Sequence, residues 1–224
     1  MDLTKTAKRN VIASALFVAL AASSSGASAT TITSESFELP ALPVPPAIQY
    51  GPDTFAFNTG VIGPVAIADF TFSGFSGIIA NGSLGVFPDT AFGTQAAFLQ
   101  SYQSVGSDIQ WTVFGLTLGA SYELSFWDVG SLVVPTEPFR VAVCGGSPVA
   151  YAPTSTYTVE TQNFTATATS CVVDFASSVL ASNQASAIDN LTISTVPEPL
   201  SLSLFGTGLV AAVAVRRRRK KKAA

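Results

Sequence analysis

Hydrophobic and polar residues alternate with period two through much of the middle of this chain. Ile109, Trp111 and Val113 are separated by Gln110 and Thr112, and Tyr122, Leu124 and Phe126 by Glu123 and Ser125. Phe139, Val141 and Val143 enclose Arg140 and Ala142, and Cys171, Val173 and Phe175 share a parity against Val172 and Asp174. Successive side chains of a strand point to opposite faces, so each run predicts a strand with one buried face. Gly115 and Gly119 mark a turn-rich connection between the first two runs, and Gly145-Gly146 a turn after the third. Ser36 to Leu39 reads as a short first strand. It is followed by a stiff, extended stretch with prolines at 40, 43, 45, 46 and 52. No comparable window outside the termini has helical periodicity. The pattern predicts an all-β fold, an antiparallel β-sandwich of the jelly-roll type, as a single domain over residues 30–195.

The two ends break the pattern. Lys5, Lys8 and Arg9 precede an apolar run from Val11 to Ala22 and the small-residue pattern Ala27-Ser28-Ala29. This order predicts a signal peptide over residues 1–29, with an uncleaved anchor as the alternative. At the other end Val196, Pro197, Glu198 and Pro199 lead into Leu200 to Val215, sixteen residues without a charge, and then into seven consecutive cations from Arg216 to Lys222. A helix over 200–215 would reach roughly 24 Å, a marginal single transmembrane span, with Arg216, Arg217, Arg218 and Arg219 opening the basic stop of a tail over 216–222. A buried core helix is the competing reading, but Ser201, Ser203, Gly206, Thr207 and Gly208 leave no amphipathic stripe. The cations at both ends stay cytoplasmic under the positive-inside rule, which puts everything between them across the inner membrane.

The ordered C-terminal blocks, Val196-Pro197-Glu198-Pro199, weak apolar helix and Arg cluster, resemble the PEP-CTERM sorting signal of exported bacterial proteins, here over residues 196–224. The resemblance implies an exosortase as partner, a membrane protease-transpeptidase that removes the tail. It also implies transient anchoring in the inner membrane, then delivery to the cell surface or extracellular matrix. It makes this chain a substrate, not an enzyme.

Charge sharpens the picture. Charged residues are only 11% of the chain against 48% hydrophobic, and the two signs are segregated. Between Thr30 and Thr195 Arg140 is the only base, set against twelve acids. A body of that sign lacks the Lys and Arg that neutralise phosphates, which excludes nucleic acid as its partner. The chain has no His, no G-x-S-x-G and no phosphate loop, so the usual catalytic equipment is missing. Asp128 and Glu137 could pair in three dimensions, but acids on exposed loops are normally solvated, and both are read that way. Cys144 and Cys171 are the whole cysteine inventory. In an exported protein they are candidates for a disulfide, and two buried free thiols are the alternative.

The order of the strand-like runs, from Phe37-Glu38 through Ala97-Phe98-Leu99-Gln100, Ile109 to Val113, Tyr122 to Trp127, Phe139-Arg140-Val141 and Phe164 to Ser170 to Ala187-Ile188-Asp189-Asn190-Leu191, is similar to galactose-binding-like β-sandwich domains. Such domains occur in carbohydrate-binding modules and in many PEP-CTERM proteins. The resemblance implies a structural calcium where the first and last strands meet, near Glu38 and Asp189, and no other cofactor. Asp189 shares its parity with Ala187, Leu191 and Ile193, so it points inward with them if they face the core. A buried carboxylate must be paired, hydrogen-bonded or metal-bound. Backbone and side-chain donors could satisfy it as well as calcium could. Trp127 falls on the parity opposite Phe126, where its ring either stacks on a sugar or packs beneath a loop. Two functional classes result. One is a structural protein of the surface or matrix, associated with exopolysaccharide and biofilm. The other is a carbohydrate-binding module that recognises the exopolysaccharide.

Overall fold

The computed structural model describes residues 28–39, 41, 48–50, 67–82, 86–90, 92–102, 104–178 and 183–197. The expected h-region, the transmembrane helix at 200–215, Glu198, Pro199 and the basic residues from Arg216 lie outside the described residues. Every regular element among those described is a strand: β1 (Thr31–Glu35), β2 (Ile48–Tyr50), β3 (Phe70–Ala80), β4 (Gln95–Ser101), β5 (Ser107–Phe114), β6 (Ser121–Gly130), β7 (Phe139–Val143), β8 (Val149–Tyr151), β9 (Thr158–Thr165), β10 (Ser170–Ser177) and β11 (Gln184–Thr195). They belong to a compact unit spanning Thr30–Val196.

All the strand pairs are antiparallel and fall into two sheets that share β3. One runs β8-β7-β10-β5-β3 and the other β3-β4-β11-β6-β9, with β2 on the free side of β3 and β1 beside β11. β3 changes sheets in mid-strand: Phe70 to Gly74 pair with β5, and Phe75 to Ala80 with β4. Gly74 is the corner. Its φ of 62° is left-handed, and a Cβ there would overlap the Gly106 carbonyl. Only glycine meets both conditions without strain.

The alternating runs lie where the pattern put them. Ile109, Trp111, Val113, Tyr122, Leu124, Phe126, Phe139, Val141, Val143, Val173 and Phe175 join one buried cluster between the sheets. Aromatic rings knit it together, with Phe126 edge-on to Phe175 at 5.3 Å and to Tyr151 at 5.1 Å. The Tyr122 hydroxyl accepts the Thr117 N–H at 2.8 Å, which fastens the connection between β5 and β6.

A second cluster lies on the far face of the β4-containing sheet and contains Phe75, Ile79, Phe87, Ala96, Phe98, Val129, Ala185 and Ala187. That sheet is therefore buried on both faces in its middle, which is why β4 and β11 are almost continuously buried.

The first strand departs from the sequence expectation. It covers Thr31–Glu35, not Ser36 to Leu39. The Glu35 carboxylate accepts the Phe37 N–H at 2.6 Å, and Phe37 adopts a φ of 58°, so the chain turns out of the sheet and drops Phe37 fully into the core. The apolar residue is buried by a turn, not by a strand.

Candidate functional site

Asp189 lies on β11 beside a bulge that the alternation did not reveal. Asp189 pairs with Trp127, but Thr192 pairs with Ser125, so β11 carries one extra residue over this interval. Asn190 takes it up at a φ of 49°. A bulge reverses the faces on its two sides. Leu191 and Ile193 face the core between the sheets, while Ala187 belongs to the outer cluster and Asp189, two residues on, shares its face. The inward direction read from parity is thus corrected: Asp189 points to the outer face with Trp127. It is fully buried all the same.

Each Asp189 oxygen has a protein donor. The Thr90 hydroxyl donates to Oδ2 and the Asn190 N–H to Oδ1 at 2.6 Å. Burial pushes the Asp189 carboxyl up to about 7; those two bonds pull the other way, and Glu38 and Glu35 add to the rise. Tyr157 approaches from the start of β9, where burial and the Asp189 charge raise its hydroxyl.

Glu38 is held elsewhere in the same neighbourhood. Its Oε1 accepts the backbone N–H groups of Thr94 and Gln95 at 2.9 and 3.0 Å, and its Oε2 the Thr94 hydroxyl at 2.9 Å. Gly93, at a φ of 125°, leaves the space that this carboxylate fills. Among the described residues no group of three or more acidic, cysteine or histidine side chains is arranged around one metal ion. Both members of the expected calcium pair are engaged by protein donors, and a cation would have to compete with them.

Trp127 is half-buried. Its ring lies 4.9 Å from that of Phe92 at an interplanar angle of 47°, so part of it is covered by the segment between β3 and β4. Cys144, in the turn after β7, and Cys171, on β10, form a disulfide with Cα atoms 4.9 Å apart. Val173 pairs with Val143, and the disulfide ties the adjacent ends of these two neighbouring strands.

Two further groups were not legible as sites. On the outer face of the β5-containing sheet, Asp108, Gln110 and Thr112 line up beside Val172, Asp174 and Ala176, with Arg140 on the next strand. The Gln110 amide donates to Asp108 at 3.1 Å. Burial, then the Asp174 side chain, raise the Asp108 carboxyl to about 7. The exposed Phe114 ring stands on the same face, at the end of β5. The body's only base and an acid pair thus share one sheet face. Their alternation with core residues was visible; that three separate strands would adjoin was not.

The other group is Asp128 and Glu160 on neighbouring strands of the opposite sheet. Asp128 is only 1% exposed, which overturns its reading as a solvated loop acid, and Glu137 is fully buried too. Burial, and after it the Glu160 charge, raise the Asp128 carboxyl to about 7.

The ends of the sandwich adjoin one another. The Thr30 N–H donates to the Thr195 hydroxyl at 2.9 Å, and the Thr195 N–H to the Thr30 carbonyl at 2.9 Å. Val196 makes the last of these contacts, its N–H donating to the Ser121 carbonyl at 3.0 Å. From this point the chain enters the segment whose order of blocks stood out in the sequence. The family model of the PEP-CTERM protein-sorting motif matches residues 195–219.

The tail is a PEP-CTERM sorting motif. The motif implies an exported protein that is transiently anchored in the membrane and processed by an exosortase. It starts at the last residue of β11, so the PEP-CTERM segment overlaps the sandwich only at the end of its last strand. No curated protein matches the chain. Among solved structures, the CBM22-1 xylan-binding domain of Paenibacillus barcinonensis Xyn10C is similar at 11% identity and a TM-score of 0.48, over 77% of this chain and 98% of that one. A CBM4 structure is similar at 18% identity and a TM-score of 0.38, over 45% of this chain and 84% of that one. The enzymatically active domain of the bacteriophage CBA120 tailspike protein 4 is similar at 12% identity and a TM-score of 0.44. The match covers 58% of this chain and 20% of the tailspike, so this chain spans about a fifth of that protein's length. At these identities and scores none of their ligands transfers to the PEP-CTERM chain.

Proposed function

We propose that this chain is a non-catalytic β-sandwich delivered to the cell surface or extracellular matrix, where it serves as a structural component associated with exopolysaccharide and biofilm. The observation that carries the proposal is the sorting motif at residues 195–219, beginning where the last strand ends. A signal peptide over 1–29 starts export, the apolar segment at 200–215 holds the chain in the inner membrane, and an exosortase removes the tail. Replacing Pro197 and Pro199 with Ala in the native host should abolish processing and leave full-length protein in the membrane fraction. Normal processing of that variant would refute the assignment of the partner.

A second reading, a carbohydrate-binding module, is favoured by the outer face with Asp108, Gln110, Asp174 and Arg140. Its side chains offer planar hydrogen-bonding groups, and Phe114 supplies an exposed ring at the edge. Such a mixture suits sugar hydroxyls and the apolar faces of pyranose rings. Trp127, partly covered by Phe92, is the weaker platform. Affinity electrophoresis in the host's own exopolysaccharide discriminates the sites. Retardation lost in Arg140→Ala but kept in Trp127→Ala supports the sheet face, and the reverse supports Trp127. Absence of retardation removes the second reading and leaves the structural one.

A structural calcium at Glu38 and Asp189 is not part of this proposal. A cation at Glu38 and Asp189 would have to displace the Thr90 hydroxyl or accept oxygens already engaged. Calcium-independent stability of this pair is therefore the expected behaviour.

A further inference from the structure

We infer that the mouth between β8 and β9, where the edges of the two sheets face each other, is a weak binding site for a hard divalent cation of the calcium class, held by Asp128 and Glu160 with Gln162 and Tyr151 beside them. Four observations converge there. Asp128 pairs with Thr158, and Phe126 with Glu160, so Asp128 and Glu160 are diagonal neighbours on the face of the sheet that looks into the sandwich. Tyr151 enters from the opposite sheet through its pairing with Phe139. Its hydroxyl reaches Gln162 Oε1 at 3.4 Å, which bridges the two edges over Phe126.

The decisive observation is on Asp128. It is 1% exposed, and its Oδ1 has no hydrogen-bond partner. A buried carboxylate oxygen without a donor costs free energy unless something compensates it. The Tyr151 hydroxyl nearby donates to Gln162 instead. The sandwich's single base, Arg140, lies on the outer face of the other sheet, two residues along β7 from Ala142, which pairs with Asp174. Glu160 adds a like charge, and both acids raise the Tyr151 hydroxyl after burial has done so.

The donor set consists of oxygens alone: two carboxylates, an amide carbonyl and a phenol. Nitrogen and sulfur are absent from it, which selects a hard ion over zinc or copper. Glu160, on the face that looks into the sandwich, is only half-buried, so the mouth is reachable from solvent. Two carboxylates completed by water give the low-affinity class seen in extracellular modules, with dissociation constants of about 10⁻⁴ to 10⁻³ M. An exported protein would meet calcium at such levels outside the cell. The site is separate from Glu38 and Asp189, which lie on the first and last strands' side of the sheet and keep their own donors.

The test uses the full-length chain in detergent, stripped with chelator and unfolded by heat with and without calcium chloride. At calcium ten times the dissociation constant the midpoint should rise by roughly 3 to 6 °C. Glu160→Gln, at a half-buried position that does not threaten folding, should remove the rise, as should Asp128→Asn. Glu38→Gln should keep it. No rise in the unsubstituted protein, an undiminished rise in Glu160→Gln, or a rise lost in Glu38→Gln and kept in Glu160→Gln overturns the inference.

Discussion

Replacing Asp189 with Asn should stabilise the sandwich near neutral pH and leave it nearly unchanged in acid. The unfolded carboxyl titrates near 3.9, and the folded one is pushed up to about 7 by burial. Between those values the folded protein keeps a proton that the unfolded chain releases, so stability falls as pH rises through this window and levels off above about 7. A shift of about three units corresponds to at most about 4 kcal/mol, and relaxation around the ionised group brings the expected loss to about 2 to 4 kcal/mol. The substituted amide keeps an Oδ1 that accepts the Asn190 N–H, and the Thr90 hydroxyl can turn to accept from the new NH₂ group. Only the charge is lost. Urea unfolding followed by tryptophan fluorescence, with chelator present, should give coincident stabilities for the two proteins near pH 4 and a gap of about 2 to 4 kcal/mol near pH 7.5. A variant no more stable than the parent at pH 7.5 would refute the reasoning. If that result appeared only when calcium was added, the carboxylate would be shown to hold a cation.

Further outcomes follow from the same geometry. Cys144→Ser should lower stability by about 3 to 4 kcal/mol, because the disulfide closes a loop of sequence separation 27 in the unfolded chain. Reductant should lower the thermal midpoint of the parent and not of the variant. Gly93→Ala forces an L residue to a φ of 125° and drives its Cβ into the Glu38 carboxylate. A loss of about 2 kcal/mol or more in chemical denaturation is expected. Phe126→Ala removes a ring that contacts Phe139, Tyr151 and Phe175. It should cost about 3 to 5 kcal/mol, with a correspondingly lower urea midpoint.

Strands with one buried face were legible because alternation records that face directly. β5, β6, β7 and β10 each keep an apolar parity that matches the buried residues closely. The middle of β4, Ala96-Ala97-Phe98-Leu99, carries no such record, since Ala97 and Leu99 face one cluster and Ala96 and Phe98 the other. A strand buried on both sides reads as an unbroken apolar run whatever lies on either face. Asp189 failed for a different reason. The alternation continues through Asn190 without a break in the sequence, yet a single left-handed residue there reverses every assignment before it relative to those after it.

The sequence by itself determined the all-β class, the strands that face a single core and the segregation of charge. It also determined the tripartite tail, because each of these is written in neighbouring residues. The tail could be recognised without any coordinates, since its chemistry lies in the order of its blocks. The tertiary structure decided which strands adjoin, and therefore everything built across strands. Asp108 meets Asp174 only because β10 lies beside β5, Asp128 meets Glu160 because β9 lies beside β6, and Tyr151 reaches them because the edges of the two sheets converge. These partners are separated by tens of residues. Their pairing follows from sheet order and register, which depend on the packing of the whole core and not on any local pattern.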